Sequence, residues 1–494
     1  MSFVLTFLFA ALPVVNDWEN PKVNSINRLP PRSFTLPLES EKAAFTHDLE
    51  PSTPFFLSLN GQWKFRWEGN PMLCETNFHS TAFDDSRWSH ISVPSCVEML
   101  DYGAPMYVNI KYPHFNTSNP EKSKENFAKI LNRRSMKGDY NPVSSYRRTF
   151  SVPETWEGRE TILRFEGVGS AYYVWVNGEF VGYAEDSKLP SEFNITKFLK
   201  KGAENLLAVK VFKWCDGSFL EDQDMFRYSG IFRDVSLISM PKDHIWDFVV
   251  KTKNDGSLKV EGTDATWKLY DADFKEVEVP VKNVKLWSAE KPYLYTLVLK
   301  KDSDIRMKRV GFKEQKIKRN YFAVNDMKIK FHGVNRHETN SRNGRTVTLQ
   351  DMLDDIRLMK RFNIDTVRTA HYPDHRLWYD LCDKYGIYLV AEANVEGHEA
   401  GYSKNGLFTK KLPINAILPP LYFETSTAYL ALSTVPPTVS VNGSAIYPLA
   451  IRSDALTASP ALPKVSPKKL VLISSNSALP LVDPAGSDAN VSMR

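Results

Sequence analysis

Three short motifs in the second half of the chain place histidine and glutamate where proteins often carry out chemistry. His337 and His371 each follow a short apolar run, and Glu396 and His398 lie two residues apart after a third run. Neutral imidazoles can hydrogen-bond hydroxyl groups or stabilise charge as a bond breaks. Glu396 and His398 could share a cation, although Mg²⁺ prefers further oxygen ligands. A lone histidine after a strand is more often a loop residue that makes a hydrogen bond. A functional role is favoured here because histidine or glutamate occurs at three successive strand ends.

The spacing of apolar residues around these motifs predicts alternating strands and helices. Strands are expected over Met327–Val334, Ile364–Ala370 and Ile387–Ala393, and helices over Leu349–Phe362 and His375–Gly386. One face of the first helix is expected to be apolar, formed by Leu349, Met352, Leu353, Ile356, Met359 and Phe362. Strand–helix–strand order with short connections indicates parallel strands. This is how a (β/α)8 barrel begins, and its functional groups lie at the carboxyl ends of the strands.

The first half of the chain has the short alternating runs of a β-sandwich. These runs cover Phe55–Gly69, Ser144–Val152, Glu160–Val168, Ala171–Tyr183 and Asn205–Trp214. Within the fourth run, Asn177-Gly178 predicts a two-residue hairpin turn. A second β-region over His244–Lys318 is short for an immunoglobulin-like sandwich, which needs about 100 residues.

Composition indicates a soluble globular protein: 494 residues, 42% hydrophobic, 24% charged, with a net charge of +5. No basic run points to a nucleic-acid partner. The four cysteines are scattered without a CxxC pair, which favours free thiols in a reducing, cytoplasmic compartment over a zinc site or disulfide framework. The apolar segment Met1–Val15 leaves secretion as the alternative, but it lacks a preceding basic residue and is too short to span a membrane.

Motifs spread along the chain resemble those of the large β-galactosidases of glycoside hydrolase family 2. They are "DWENP" (Asp17–Pro21), "SLNGQWKFRW" (Ser58–Trp67), "YVNIKYP" (Tyr107–Pro113), "LEDQDMFRYSGIFRDV" (Leu220–Val235), "LWSAEKPYLY" (Leu286–Tyr295), "HGVNRHE" (His332–Glu338), "VRTAHYPDH" (Val367–His375) and "AEANVEGH" (Ala391–His398). The resemblance implies hydrolysis of terminal β-D-galactosides such as lactose, with Mg²⁺ and Na⁺ as cofactors and a homo-oligomeric assembly.

The resemblance also implies a multidomain fold: a β-sandwich (jelly roll), an immunoglobulin-like β-sandwich and a (β/α)8 barrel. Residues 1–54 would form an N-terminal arm, 55–240 the jelly-roll sugar-binding domain and 241–320 a shortened immunoglobulin-like domain. Residues 321–408 would form the first three βα units of the barrel, and 409–494 a disordered tail foreign to the family.

Matching the motifs position by position implies roles for individual residues. Asn109 would reach the galactose, Asp224 would contact substrate and Na⁺, and His337 and His371 would stabilise the transition state. Glu396 and His398 would bind Mg²⁺.

Retaining glycosidases need two carboxylates about 5 Å apart, one as acid/base and one as nucleophile. The resemblance places these glutamates after the fourth and seventh barrel strands, whereas the residues beyond 408 show no further βα repeat. We therefore expect a chain truncated inside its barrel, without both catalytic glutamates, inactive and unsuited to the family's homo-oligomer. The alternative is a non-catalytic carbohydrate-binding fragment.

Overall fold

The computed structural model consists mostly of antiparallel β-sheet with a small α/β unit. It describes residues 16–45, 49, 52–109, 141–318, 321–397, 440–441 and 444–445. The predicted tail lies outside these residues except for one antiparallel pair of two-residue strands, Ser440–Val441 and Ser444–Ala445. The apolar segment of residues 1–15 also lies outside them.

The first domain is a sandwich of two large antiparallel sheets, the jelly roll that the sequence predicted. Its strands in chain order are β1 (Ser25–Ile26), β2 (Phe56–Ser58), β3 (Gly61–Glu68), β4 (Ser89–Val93), β5 (Tyr107–Val108), β6 (Val143–Phe150), β7 (Glu160–Phe165), β8 (Val168–Gly169), β9 (Ala171–Val176), β10 (Glu179–Ala184), β11 (Ser191–Asn194), β12 (Asn205–Phe212), β13 (Met225–Phe226), β14 (Gly230–Ile231) and β15 (Val235–Met240). One sheet has the order β1-β10-β9-β12-β6-β3-β4 and the other β11-β7-β15-β2. The short pairs β5–β13 and β8–β14 complete the domain.

Alternating burial explains why these runs form a sandwich. In β3, Trp63 and Phe65 are buried while the residues beside them are more exposed, as expected for a strand with one face on a core. The turn between β9 and β10 is formed by Asn177 (φ 53°) and Gly178 (φ 88°). Positive φ at both positions is what a two-residue turn matched to the strand twist requires, so the predicted hairpin is confirmed.

The middle domain is a smaller antiparallel β-structure of the immunoglobulin-like kind. Its strands are β16 (Val249–Thr252), β17 (Leu258–Glu261), β18 (Thr266–Tyr270), β19 (Glu276–Val277), β20 (Tyr295–Lys301) and β21 (Asp304–Val310). They pair as β16–β17 and as β19-β18-β20-β21, around a core that includes Phe248, Leu269, Leu297 and Phe312.

The α/β unit follows a three-stranded antiparallel sheet. That sheet consists of β22 (Gln315–Lys318), β23 (Tyr321–Val324) and β24 (Met327–Lys328). The unit itself consists of β25 (Gly333–Arg336), helix α1 (Leu349–Arg361), β26 (Thr366–Thr369), helix α2 (Arg376–Tyr385) and β27 (Tyr388–Val390). The strands are parallel in the order β25-β26-β27, as the alternating pattern predicted.

The expectation of one continuous strand over Met327–Val334 is wrong. Asn325 (φ 52°) and Asp326 (φ 64°) form a tight turn that folds β24 back antiparallel onto β23. The first parallel strand therefore begins only at Gly333. A Cβ there would lie 2.9 Å from the carbonyl oxygen of Thr366, so the close approach of β25 to β26 needs glycine.

Both predicted helices form, with one correction to the apolar face. Thr348 and Asp351 make a reciprocal capping box at the start of α1. Met352, Ile356 and Met359 are buried as expected, but Phe362 is 66% exposed. Phe362 follows the last helical residue, so its side chain leaves the face that packs on the sheet. Helix α2 ends at Gly386, whose φ of 73° lets its N–H bond the Cys382 carbonyl at 3.0 Å.

All four cysteines have free thiols, and Cys96, Cys215 and Cys382 are buried. No helix in the described part of the chain is long and apolar enough to cross a membrane.

We expect Leu381→Ala to lower the free energy of unfolding of the α/β unit by about 2–5 kcal/mol, because it removes a fully buried side chain from a packed core. Urea unfolding followed by tryptophan fluorescence measures it, since Trp287 and Trp378 lie in the same core. The matched control is Leu358→Ala on α1, where the side chain is 55% exposed and the change should stay within about 0.5 kcal/mol. Equal losses in the two variants would contradict the core assignment.

Candidate active site

The carboxyl ends of the parallel strands form one rim, and the two predicted histidines meet there. His337 follows β25 and His371 follows β26, two adjacent strands. Their ring centroids lie 5.3 Å apart with the planes nearly perpendicular, at 82°. Two imidazoles this close can contact the same small ligand.

The surroundings of His337 favour its neutral form. Burial lowers the pKa of His337, and the charges of His371 and Arg345 lower it further, while Asp224 opposes them. A neutral imidazole keeps one nitrogen as an acceptor and the other as a donor. His337 can therefore exchange hydrogen bonds in both directions with a hydroxyl group at neutral pH.

His371 is held by two charged residues that the sequence analysis did not single out. Its Nδ1 lies 3.2 Å from Glu392 Oε2 and 3.2 Å from Arg368 Nη2. Burial opposes ionisation of Glu392, but its hydrogen bond to His371 and the charge of Arg368 outweigh burial and lower its pKa. A signal for Arg368 existed in the sequence, since a charged residue inside the apolar run before His371 needs a partner.

Glu396 lies where the segment after β27 touches the jelly roll. Its N–H donates to the carbonyl of Leu220 at 2.7 Å, and its carbonyl accepts from Asp222 N–H at 2.9 Å. These two bonds form a short parallel bridge between Glu396 and Glu221. The two hydrogen bonds hold the segment Leu220–Asp224 of the jelly roll beside the segment that follows β27. His398, the other predicted Mg²⁺ ligand, lies outside the described residues.

Asn109 directly follows strand β5 and Asp224 directly precedes strand β13, and these two short strands pair with each other. The Tyr107 hydroxyl donates a hydrogen bond to Asp224 Oδ1. Tyr107 pairs with Phe226, and Val108 pairs with Met225. The next position along this register sets Asn109 against Asp224, and Asn109 is exposed there. Because the charge of Asp224 acts on His337, the structure brings Asp224 close to the two histidines from a separate part of the chain.

A buried ion pair joins the jelly roll to the rim. Arg233 Nε lies 3.1 Å from Glu338 Oε2, and the two side chains are 5% and 0% exposed. Arg233 also donates to the carbonyls of Lys188 and Pro373, both at 2.8 Å. Burial disfavours the charge on Glu338, but Arg233 and His375 outweigh it and lower its pKa. Sequence reasoning missed this pair because its partners lie 105 positions apart.

Another cluster of potential ligand groups contains none of the predicted metal ligands. Within the described residues, Glu185, Cys215 and Asp216 place ligand atoms within 4.8 Å of one another, all buried. Burial, and then the charge of Asp216, raise the pKa of Glu185 well above its ordinary value. A protonated Glu185 carboxyl group can share hydrogen bonds with its neighbours, such as the Tyr183 hydroxyl.

Comparisons with known proteins agree with this architecture. The model described as "Glycosyl hydrolases family 2, sugar binding domain" matches residues 56–241, "Glycosyl hydrolases family 2" matches 234–313, and "Glycosyl hydrolases family 2, TIM barrel domain" matches 315–416. The β-galactosidases of Priestia megaterium and Halalkalibacterium halodurans are each 39% identical over 77% and 76% of this chain. The chain spans only 40% and 39% of their lengths.

A solved β-glucuronidase structure from an uncultured Clostridium sp. has the same fold. The TM-score is 0.57 at 22% identity, over 71% of this chain and 61% of that one.

We expect Arg233→Ala to lower the free energy of unfolding by about 3–5 kcal/mol, because it leaves Glu338 charged and unpaired in a buried position. Denaturant unfolding at pH 7 measures the loss. The control is Arg66→Ala, whose pair with Glu68 is half exposed on the arginine side, so that the loss should stay below about 1 kcal/mol. A loss of under 1 kcal/mol in both variants would show that the buried pair does not hold the domains together.

The imidazole of His337 should titrate below its usual midpoint of 6.5, and His371→Gln should raise that midpoint by removing a repelling neighbour. Proton NMR of the histidine ring signals across pH 4–9 measures both midpoints. His90→Gln, at an exposed site in β4, should leave the His337 midpoint unchanged. An unchanged midpoint in His371→Gln would contradict the electrostatic contact between the two rings.

Proposed function

The chain belongs to glycosyl hydrolases family 2, and from that premise we propose that its rim binds terminal β-D-galactose residues, as in lactose. We propose further that the chain descends from a β-galactosidase, an enzyme that hydrolyses such residues with retention of configuration. The curated relatives that carry the name β-galactosidase support the choice of sugar. The observation that carries the proposal is the meeting of His337 and His371 at adjacent strand ends, with Asp224 close enough to influence His337.

Each residue of the rim has a part that suits a sugar ligand. Neutral His337 and the partly buried His371 would hydrogen-bond ring hydroxyls and stabilise charge that develops as the glycosidic bond breaks. Asp224, oriented by the Tyr107 hydroxyl, would accept hydrogen bonds from hydroxyls, and Asn109 would reach the sugar from the jelly-roll side. A sugar would then be held between the two domains.

Mg²⁺ and Na⁺ are the proposed cofactors. Glu396, one proposed Mg²⁺ ligand, offers a carboxylate, the oxygen donor that this cation prefers, and His398 would be the second ligand. The Asp224 carboxylate would contact Na⁺. When bound, the ions would supply fixed positive charge near the sugar oxygens, while the residues of the chain orient the ligand.

Protonation of the leaving oxygen needs a carboxylic acid whose pKa is raised. The rim carboxyls Glu338 and Glu392 instead have lowered pKa values, because each is paired with an arginine. Neither carboxyl is suited to donate that proton. We therefore propose that the 494-residue chain binds galactosides without turning them over, as a carbohydrate-binding protein.

The test is the affinity of the purified chain for a non-hydrolysable thio-β-galactoside, measured by calorimetry with Mg²⁺ and Na⁺ present. Asp224→Asn should weaken binding by about 10- to 100-fold, because a hydrogen bond to a charged group contributes about 1.5–3 kcal/mol. Asp255→Asn, an exposed aspartate of the middle domain, should leave the affinity unchanged. Equal affinity in Asp224→Asn and the unchanged chain would contradict the assignment of the rim.

The same preparation with a nitrophenyl β-galactoside separates binding from catalysis. Release of nitrophenol at the rate of a blank is expected. Turnover that disappears in His371→Gln would support β-galactosidase activity in this chain and reject the binding-only proposal.

A further inference from the structure

A polar cavity lies among the loops of the jelly roll that approach the α/β unit. Its empty volume is about 370 Å³, part of it open to solvent. The charged side chains that line it are four cations and two carboxylates: Lys188, Lys213, Arg227, Arg345, Glu221 and Asp222. Three serine hydroxyls and one tyrosine also line it. Every one of these charges has been removed from most of its water, so each needs a partner.

Three of the four cations have a carboxylate partner. The pairs are Lys188 with Glu221 at 3.3 Å, Lys213 with Glu98 at 2.7 Å, and Arg227 with Asp222 at 3.1 Å. Each carboxylate near the cavity is therefore already engaged with one cation. One positive charge, that of Arg345, is left over.

Arg345 is the unpaired cation, and it is only 3% exposed. Its Nη2 donates to the Phe226 carbonyl at 2.9 Å and lies 3.1 Å from the Met225 sulfur. The ring of Tyr372, 4.8 Å from the guanidinium carbon, gives some cation–π stabilisation. Within the part of the chain that the structure describes, no carboxylate lies within ion-pair distance of Arg345, and its Nε has no hydrogen-bond partner.

The cations around the cavity repel one another. Burial lowers the pKa of Lys188 to about 7, and the charges of Arg345 and Arg227 add to that effect against the opposing charge of Glu221. Burial and the charge of Arg345 also lower the pKa of Arg227, against the opposing charge of Asp222. The Arg227 Nε, like that of Arg345, has no hydrogen-bond partner. An anion among these groups would relieve the repulsion and accept the unused N–H groups.

We propose that this cavity binds a small monovalent anion, a halide or a carboxylate group, held chiefly by Arg345 and Arg227. A single negative charge would pair with Arg345, the cation that has no carboxylate partner among the described residues. A divalent oxyanion would bring a second negative charge, which the carboxylates of Glu221 and Asp222 in the cavity lining would repel. The site goes beyond sugar binding and does not depend on it, although Arg345 also acts electrostatically on His337, so an anion there would ease protonation of that imidazole.

The experiment measures the thermal unfolding midpoint of the full chain in increasing sodium chloride, bromide or formate. Ionic strength is held constant with a bulky sulfonate. We expect a saturable rise in the midpoint with the small anions and none with the sulfonate, since a ligand that binds the folded state stabilises it by mass action. A rise with formate alone would assign a carboxylate ligand, and a rise with halides would assign a free ion. Identical midpoints in all salts would overturn the proposal.

Arg345→Gln should abolish the anion-dependent rise, and Arg357→Gln should keep it, because Arg357 lies on the exposed face of α1. If Arg345→Gln does not fold, ³⁵Cl NMR of the unmodified protein decides. We expect chloride line broadening that bromide displaces, and Arg345→Lys should weaken it at least several-fold, because lysine lacks the guanidinium fork. Broadening that bromide does not displace, or that is unchanged in Arg345→Lys, would overturn the site.

Discussion

The ion pair between Arg233 and Glu338 is the constraint on which the geometry of the candidate site depends. Both side chains are almost fully buried, and burial of two charges is costly unless every polar atom is satisfied. Arg233 meets this condition with the carbonyls of Lys188 and Pro373, and Glu338 with the backbone N–H of His375. A shift of the jelly roll against the rim would leave one charge buried without its partner. The pair therefore fixes the register in which the two domains meet.

That register decides the protonation states of the rim. With the domains in place, His337 lies beside His371 and near Asp224 and Arg345, and burial with cationic neighbours favours its neutral form. Glu392 lies between Arg368 and His371, which keeps it ionised. A neutral His337 imidazole and paired carboxylates suit recognition of an uncharged polyhydroxyl ligand. Burial raises the pKa of Asp374 to about 7, but this carboxyl is fully buried and lies 2.7 Å from Arg336, so it does not face a ligand at the rim.

Domain contact also concentrates positive charge. Arg345 follows β25, yet it packs against Phe226 and Tyr228 of the jelly roll, where Lys188 and Arg227 already lie. Lys188 and Arg227 each pair with a carboxylate of the jelly roll, so the contact between the domains adds Arg345 as a cation without a carboxylate partner among the described residues. The anion site is therefore a consequence of the interface, and neither domain alone has the charge excess.

The sequence by itself determined the elements and their order. Local signals suffice for these: alternation predicts β3 and β9, the Asn-Gly dipeptide predicts the turn at Asn177-Gly178, and helical spacing with a terminal glycine predicts α2. Local signals were insufficient where one apolar run contributes to two different sheets. The run Met327–Val334 is divided between two sheets, because β24 pairs antiparallel with β23 whereas β25 pairs parallel with β26. Phe362 likewise leaves its predicted face because the helix ends one residue earlier.

The candidate site was predictable in part. His337, His371 and Glu396 could be named because each follows a strand, and Asn109 and Asp224 because their motifs resemble those of a family. Only the tertiary structure decided what these residues touch. Arg233 pairs with Glu338, the Tyr107 hydroxyl donates to Asp224, and Arg345 donates to the Phe226 carbonyl. In each contact the two residues lie more than 100 positions apart. Long-range electrostatic partners leave no periodic trace in a sequence, because charge interacts through space and its partner can come from any strand end that the fold brings near.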